Sequence, residues 1–110
     1  MGGWARRGDM LGIWILAMLL DAPLHGYEIL QRAQQHPAWR GINPGGIYRV
    51  LRELEMEGFV VSTWSMGGGP PRRVYRITDK GKGWLCEMKG LLLAQRAFID
   101  ELIKKIEGGV

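Results

Sequence analysis

Two arginine-containing groups, called the basic groups here, lie before and after a glycine- and proline-rich segment, and their spacing indicates chemistry directed at anions. The first group shares one face of a predicted helix and consists of Tyr48, Arg49 and Arg52. The second lies in a predicted strand that contains no acidic residue, and consists of Arg72, Arg73 and Arg76. Guanidinium groups bind phosphate through forked hydrogen bonds, and tyrosine adds a further donor to phosphate or sugar. The pattern therefore favours an anionic polymer as the partner over another protein helix.

The first basic group is positioned by a predicted helix over residues 43–55. Asn43 can cap this helix, and Pro44 suits its first turn, where the missing N–H has no intrahelical partner to lose. Apolar residues recur with helical spacing and predict a buried face made of Ile47, Val50, Leu51 and Leu54. The opposite face carries Gly45 with the basic group, and Gly46 lies at the helix start beside Asn43. Gly58 is placed to end the helix.

The second basic group is positioned by a predicted β-hairpin. Residues 59–65 and 72–78 are β-rich, and the glycines and prolines of residues 66–71 interrupt the strand between them. Because side chains alternate along a strand, the three arginines cannot all point the same way. A basic hairpin beside a helix-turn-helix is the winged-helix arrangement, in which the helix enters a major groove and the wing follows the backbone or minor groove.

The apolar run at residues 10–20 predicts a buried first helix. A secretory signal is disfavoured because Asp9 lies in the would-be basic region and no small-residue cleavage site follows; the run is also shorter than the roughly 20 residues that span a bilayer. Pro23 ends this helix. A second helix is expected to begin at residues 24–26 and to end near Gln35, followed by a loop at residues 36–41. The apolar positions of the second helix are predicted to include Tyr27, Leu30 and Ala33, and Tyr75 is expected in or near the same core.

Thr78 is placed to cap a long last helix that ends near residue 107. Apolar residues recur along it every seven residues, which predicts a coiled-coil-like contact with a second copy of the chain and with the first helix. The alternative is a helix folded back on its own domain. The expected dimer seam consists of Leu85, Met88, Leu92, Gln95, Ile99, Leu102 and Ile106.

Composition excludes several classes of function. The 110 residues predict one small domain, and the net charge of +4 raises the expectation of a nucleic-acid partner only slightly. The single cysteine excludes an intrachain disulfide and a cysteine-rich zinc site, and two histidines make a metal cluster unexpected. With no nucleophile–base set and no phosphate loop, we expect neither an enzyme nor a cofactor. A reducing, cytoplasmic setting is the simplest interpretation.

Three segments, taken in order, resemble the PadR family of bacterial transcriptional regulators. They are Leu-His-Gly-Tyr-Glu-Ile at residues 24–29, Gly-Gly-Ile-Tyr-Arg-Val-Leu at residues 45–51, and Gly-Pro-Pro-Arg-Arg-Val-Tyr-Arg-Ile-Thr-Asp-Lys-Gly at residues 69–81. The resemblance implies a winged-helix dimer on promoter DNA, usually a repressor released by a small molecule, and the tail resembles the subgroup with one C-terminal helix. Relatives commonly carry a small hydroxyl residue where Asn43, Pro44 or Gly46 stands. Pro70 and Pro71 replace the usual basic residue at the wing tip and should stiffen it.

These observations predict a mainly α fold with a small β-hairpin, in which residues 1–78 form a winged-helix domain and residues 79–110 a dimerisation helix. We expect a dimeric repressor on pseudo-palindromic double-stranded DNA, with no membrane association. The alternative is a winged-helix module that binds an acidic protein. The predicted DNA contacts are Asn43, Gly45, Gly46, Tyr48, Arg49, Arg52, Arg72, Arg73 and Arg76. A further hypothesis places a planar apolar inducer at the dimer interface against Trp14, Trp84 and Met88, although these side chains can equally be interface fillers.

Overall fold

The computed structural model describes residues 7–110, with side chains described from Met10 onward. The chain is mainly helical, as predicted, with a small antiparallel sheet in the order β1-β3-β2. The helices are α1 (Arg7–Asp21), α2 (Gly26–Gln35), α3 (Pro44–Met56) and α4 (Asp79–Gly109), with a 3-10 turn at Pro37–Trp39. The strands are β1 (Leu24–His25), β2 (Val60–Ser65) and β3 (Arg72–Ile77).

Helix α1 passes through the centre of the core. Ile15 and Leu16 are completely buried, and Leu11 and Leu19 are nearly so. They pack with the buried faces of α2 and α3, so that the apolar run predicted from the sequence becomes the central element of the domain. Within residues 7–110, no helix combines the length and the apolar character that crossing a membrane requires.

The segment after α1 differs from the prediction in two respects. Leu24 and His25 form a short strand that pairs with β3, opposite Tyr75 and Val74, before α2 begins at Gly26. Two residues carry no alternation pattern, so only the long-range pairing reveals β1. The predicted core position of Tyr27 is wrong: its side chain is 57% exposed. The buried stripe of α2 instead follows Gly26, Ile29, Leu30 and Ala33, and Tyr27 lies about 100° away from it on the helix.

The caps of α3 follow the sequence signals. The backbone N–H of Gly46 donates to Asn43 Oδ1 at 2.8 Å. At the other end Gly58 has φ +80°, its N–H donates to the carbonyl of Glu55 at 3.0 Å, and Phe59 N–H donates to the carbonyl of Leu54 at 2.9 Å. This pair of bonds is the Schellman motif, which turns the chain out of α3 into β2.

Strands β2 and β3 form the predicted wing, in a register that runs from Val60 opposite Ile77 to Ser65 opposite Arg72. Val60 and Tyr75 are buried and fasten the base of the wing to the core. Because side chains alternate, Arg73 shares the core side of the sheet with Tyr75, whereas Arg72 and Arg76 share the opposite side.

The start of α4 docks closely on the wing base. Thr78 Oγ1 accepts from the N–H of Gly81 at 3.0 Å and donates to the carbonyl of Gly58 at 2.6 Å. Gly81 is buried, and a Cβ there would overlap the carbonyl oxygen of Phe59. One turn later Trp84 stacks on Phe59 with 5.0 Å between the ring centroids.

The second half of α4 leaves the domain. All residues from 96 to 110 are exposed, and the chain extends over 60 × 29 × 24 Å. A helix of 31 residues is about 46 Å long, longer than the rest of the domain can cover. The alternative of a helix folded back on its own domain is therefore wrong for this half.

Candidate nucleic-acid interface

Helix α3 presents the predicted face to the outside. Ile47, Val50, Leu51 and Leu54 are buried, and the side chains of Arg49 and Arg52 are exposed on the other side. Gly45 is exposed at the start of this face and Gly46 is half-buried. The structure therefore brings the helix residues predicted for DNA contact onto one surface.

Tyr48 is held against the start of α2. A Cβ added to Gly26 would lie 3.0 Å from Tyr48 Cε1 and 3.4 Å from Tyr75 Cε2. The absence of a side chain at position 26 thus lets the Tyr48 ring lie against the backbone of α2, close to the wing. Tyr48 is half-buried and joins the three elements that surround the candidate interface.

The wing arginines have different surroundings. Arg73 Nε–H donates to Ser62 Oγ at 2.7 Å, and its guanidinium lies 5.0 Å from the centroid of the Trp64 ring. Arg76 Nη1 donates to Thr63 Oγ1 at 3.3 Å on the opposite side of the sheet. Arg72 is exposed near the wing tip. The alternation expected from the strand pattern therefore separates Arg73 from the other two.

A cleft of about 340 Å³ lies between the start of α2, helix α3 and the wing. Its walls combine aromatic rings with two arginines, which suits a sugar-phosphate chain: guanidinium groups bind phosphate, and rings pack on sugars. Tyr27 belongs to this cleft, although sequence reasoning placed it in the core; its position off the buried stripe of α2 was the available signal. The lining residues are His25, Gly26, Tyr27, Tyr48, Trp64, Pro71, Arg72, Arg73 and Tyr75.

Tyr75 lies at the back of this cleft and its titration is perturbed. Burial raises the pKa of its phenol above the ordinary value, and the carboxylate of Glu55 acts in the same direction. The guanidinium groups of Arg73 and Arg52 oppose this shift. At neutral pH Tyr75 is therefore an uncharged phenol.

A profile of the PadR-like transcriptional regulator family matches residues 15–87, which span α1 to the first part of α4 and make up more than half of the chain. The chain belongs to the PadR-like family of transcriptional regulators. Membership in the PadR family implies DNA binding.

Individual PadR-like relatives support the same assignment. A transcriptional regulator of Mycobacterium tuberculosis is 34% identical over 95 residues, which cover 86% of this chain and 80% of the relative. The crystal structure of a PadR family regulator from Eggerthella lenta has a TM-score of 0.74 at 29% identity and covers 88% of this chain and 83% of its own. A PadR-like regulator from Bacillus cereus has a TM-score of 0.75 at 27% identity, covering 86% and 91%.

The tryptophans suggested for an inducer have aromatic partners inside this PadR chain. The Trp14 ring lies 5.5 Å from the His36 ring and 5.9 Å from the Trp39 ring, and Trp84 stacks on Phe59. Trp39 is buried, and it is the last residue of the 3-10 turn that lies within the predicted loop. Met88 is half-buried on α4. Each of the two proposed ring walls thus also serves as packing within one chain.

Metal-binding residues do not gather in the part of this PadR chain that the structure describes. Among the side chains described, from Met10 onward, no three His, Cys, Asp or Glu residues lie close enough together to hold an ion. Cys86 is exposed on α4, next to the seam residue Leu85.

Proposed function

We propose that this PadR-like protein is a sequence-specific repressor that binds double-stranded promoter DNA as a homodimer. The observation that carries the proposal is that two neighbouring elements both present exposed arginines: Arg49 and Arg52 on α3, and Arg72 and Arg73 on the wing, where they line the cleft together with Tyr48 of α3. A duplex that receives α3 in its major groove brings its backbone to the wing. Phosphate neutralisation then supplies much of the affinity, and α3 supplies the sequence preference.

Within this proposal, α3 reads the bases. Arg49 and Arg52 are exposed on the helix face that would enter the groove, with Tyr48 beside them. Arginine pairs with the O6 and N7 atoms of guanine, so guanine-containing half-sites are expected. Gly45 and Gly46 let the helix start approach the backbone closely. Asn43 Oδ1 is occupied by the cap, which leaves its amide N–H groups for a phosphate.

The wing and the start of α2 would bind the backbone. Arg72 and Arg76 project from one face of the wing and Arg73 from the other, and both Arg72 and Arg73 line the cleft together with Tyr27. Phosphates on both sides of the groove can therefore be contacted by a single wing. We include Tyr27 among the proposed backbone contacts because it is exposed in the same cleft.

The exposed apolar side chains of α4 support a homodimer. Ile99 is 48% exposed, Leu102 41% and Ile106 61%, and all three lie on the heptad seam predicted from the sequence. Leu85 packs partly on its own core, while Met88, Leu92 and Gln95 are half-buried and continue the seam. Covering this stripe with a second α4 would remove it from water and place two α3 helices about ten base pairs apart on a pseudo-palindromic site.

We further propose that a planar apolar molecule releases the repressor by binding near Trp14, Trp84 and Met88. The support is chemical: two indole rings lie on the helices expected to meet in the dimer, and flat rings bind flat ligands. A panel of planar compounds should quench or shift tryptophan emission and lower DNA affinity together. Unchanged emission across a broad panel would argue against an inducer at this place.

The DNA proposal is tested with the double variant Arg72→Ala/Arg76→Ala on the promoter fragment upstream of its own gene. Each lost phosphate contact lowers the magnitude of the slope of log affinity against log salt by about 0.9. The proposed homodimer loses two contacts in each copy, so a reduction of about 3.6 and a weaker complex are expected. The matched control is Lys104→Ala/Lys105→Ala at the exposed end of α4, which removes the same charge far from the wing.

An unchanged salt slope in the wing variant, or an equal reduction in the control, would contradict the assigned backbone contacts. An acidic polypeptide should be included as a competitor. If it binds tightly while no promoter fragment does, the chain is a protein-interaction module, and the DNA proposal fails.

A further inference from the structure

A chain of hydrogen bonds joins α3, the helix proposed to read the bases, to the wing. Ser62 Oγ–H donates to Glu55 Oε2 at 2.7 Å, and Arg73 Nε–H donates to Ser62 Oγ at 2.7 Å. Glu55 belongs to α3, Ser62 to β2 and Arg73 to β3, so these two hydrogen bonds connect three elements. In residues 7–110, the Glu55–Ser62 bond is the side-chain hydrogen bond that links α3 to the wing.

The chemistry of Ser62 suits this intermediate position. A hydroxyl has one hydrogen to donate and lone pairs to accept, so it can bind a carboxylate and a guanidinium at once. Within the described part of the chain, Glu55 and Arg73 form no direct ion pair, which leaves the hydroxyl as the connection between them. Arg73 uses only its Nε donor here, so four of its five donors stay available to a ligand.

The Trp64 ring restrains the same guanidinium from another side. Arg73 and Trp64 are cross-strand partners, and the guanidinium carbon lies 5.0 Å from the ring centroid. A guanidinium held by a ring and a hydrogen bond loses less conformational freedom when it binds an anion than a free one does. Arg73, one of the two wing arginines that line the cleft, is thus oriented before DNA binds.

We propose that Glu55 and Ser62 are positioning residues that fix the wing relative to α3 and hold Arg73 toward the cleft. The inference extends the proposed DNA-binding function and rests on it. The carboxylate of Glu55 on α3 repels phosphate by its charge, yet it strengthens DNA binding through its hydrogen bond to Ser62.

The two effects of Glu55 have opposite signs, which makes them separable. Glu55→Ala removes the charge and the acceptor, whereas Glu55→Gln removes the charge and keeps an acceptor for Ser62. If charge alone mattered, both variants would bind DNA more tightly than the wild type. If positioning dominates, Glu55→Ala binds about tenfold more weakly, the effect of losing one hydrogen bond to a charged group, and Glu55→Gln retains or exceeds wild-type affinity.

The matched control is Glu53→Ala, which removes an exposed acid from the same helix two residues away. It should bind DNA no more weakly than the wild type. Ser62→Ala should reproduce the loss, and Ser62→Thr, which keeps the hydroxyl, should restore most of the affinity. All affinities are measured on the promoter fragment at a temperature where circular dichroism shows every variant folded.

Hydrogen exchange of the free protein supplies a second measurement that needs no DNA. Amides of β2 and β3 should exchange faster in Glu55→Ala and Ser62→Ala than in Glu53→Ala. The inference is overturned if Glu55→Ala binds as tightly as Glu55→Gln, or if its wing amides exchange at the wild-type rate. If the wild type itself binds no promoter DNA, the proposed function fails, and the exchange rates alone decide whether Glu55 and Ser62 position the wing.

Discussion

At the scale of single residues, Tyr75 connects the candidate nucleic-acid interface to the buried core. Its backbone lies between Leu24 of β1 and Ser62 of β2, and its ring reaches the neighbourhood of Gly26. Only 6% of the residue is exposed, and this burial raises the pKa of the phenol. A buried phenol that cannot ionise easily keeps the base of the wing neutral and packed.

The raised pKa of Tyr75 predicts a specific loss of stability in alkali. A group whose pKa is higher in the folded state contributes stability fully below its unfolded pKa, which is about 10 for tyrosine, and loses it as the pH rises through the folded value. The free energy of unfolding should therefore fall more steeply above pH 10 in the wild type than in Tyr75→Phe. Urea unfolding at intervals from about pH 8 to 11 measures this difference; parallel curves would contradict it.

At the scale of elements, the docking of α4 on the wing base depends on a glycine. Gly81 lies in the first turn of α4, where a Cβ would overlap the carbonyl of Phe59 and lie 2.9 Å from Ile77 Cγ1. The adjoining bonds from Thr78 to Gly58 and to Gly81 hold the same junction. This junction sets the direction in which α4 leaves the domain, and so the direction of the proposed dimer seam.

Replacing each of two glycines of α4 with alanine should therefore change the free energy of unfolding in opposite directions. Gly81→Ala should lower the free energy of unfolding by about 1–3 kcal/mol, because the backbone must shift to admit the methyl group. Gly83→Ala, two residues later with nothing within 4 Å of its Cβ position, should raise it by about 0.5–1 kcal/mol through better helix propensity. Urea unfolding compares the two; equal effects would mean that the junction tolerates the methyl group.

At the scale of the whole molecule, an elongated helix extends from a small domain. The longest dimension is 60 Å, and the far half of α4 carries its apolar residues to solvent. A stripe of exposed aliphatic side chains of this length is unusual for a small protein that has no partner for it. The proposed homodimer covers the stripe and supplies a second copy of α3 and the wing.

A charge placed in the seam should separate the two proposed copies. Leu102→Glu buries a carboxylate in the predicted interface, so sedimentation velocity should show about half the wild-type mass and the operator complex should weaken strongly. Ala97→Glu is the control, since Ala97 is exposed outside the heptad seam and gains the same charge. A wild-type protein that sediments as a single chain, or a Leu102→Glu variant that stays dimeric, would contradict the seam.

Much of the fold was predictable because its signals are local. The cap at Asn43 and the turn at Gly58 depend on bonds between residues at most five positions apart, and Pro23 acts on its own neighbours. The buried face of α3 follows from a helical period, and the wing from two β-rich segments around glycine and proline. The motifs at residues 24–29, 45–51 and 69–81 also carried the resemblance to the PadR family that the profile match confirms.

What the sequence could not determine arises from contacts between distant residues. β1 exists because Leu24 and His25 meet Tyr75 and Val74 about fifty positions later, and Tyr27 is exposed because the buried stripe of α2 faces α3 and β3 instead. The hydrogen bonds from Arg73 to Ser62 and from Ser62 to Glu55 likewise join β3, β2 and α3. The sequence pattern of each of these elements gives no information about its contacts with the other two. Local preferences determined which elements form, whereas the packing of those elements decided which side chains face the cleft, because burial and hydrogen bonding across elements depend on the whole arrangement.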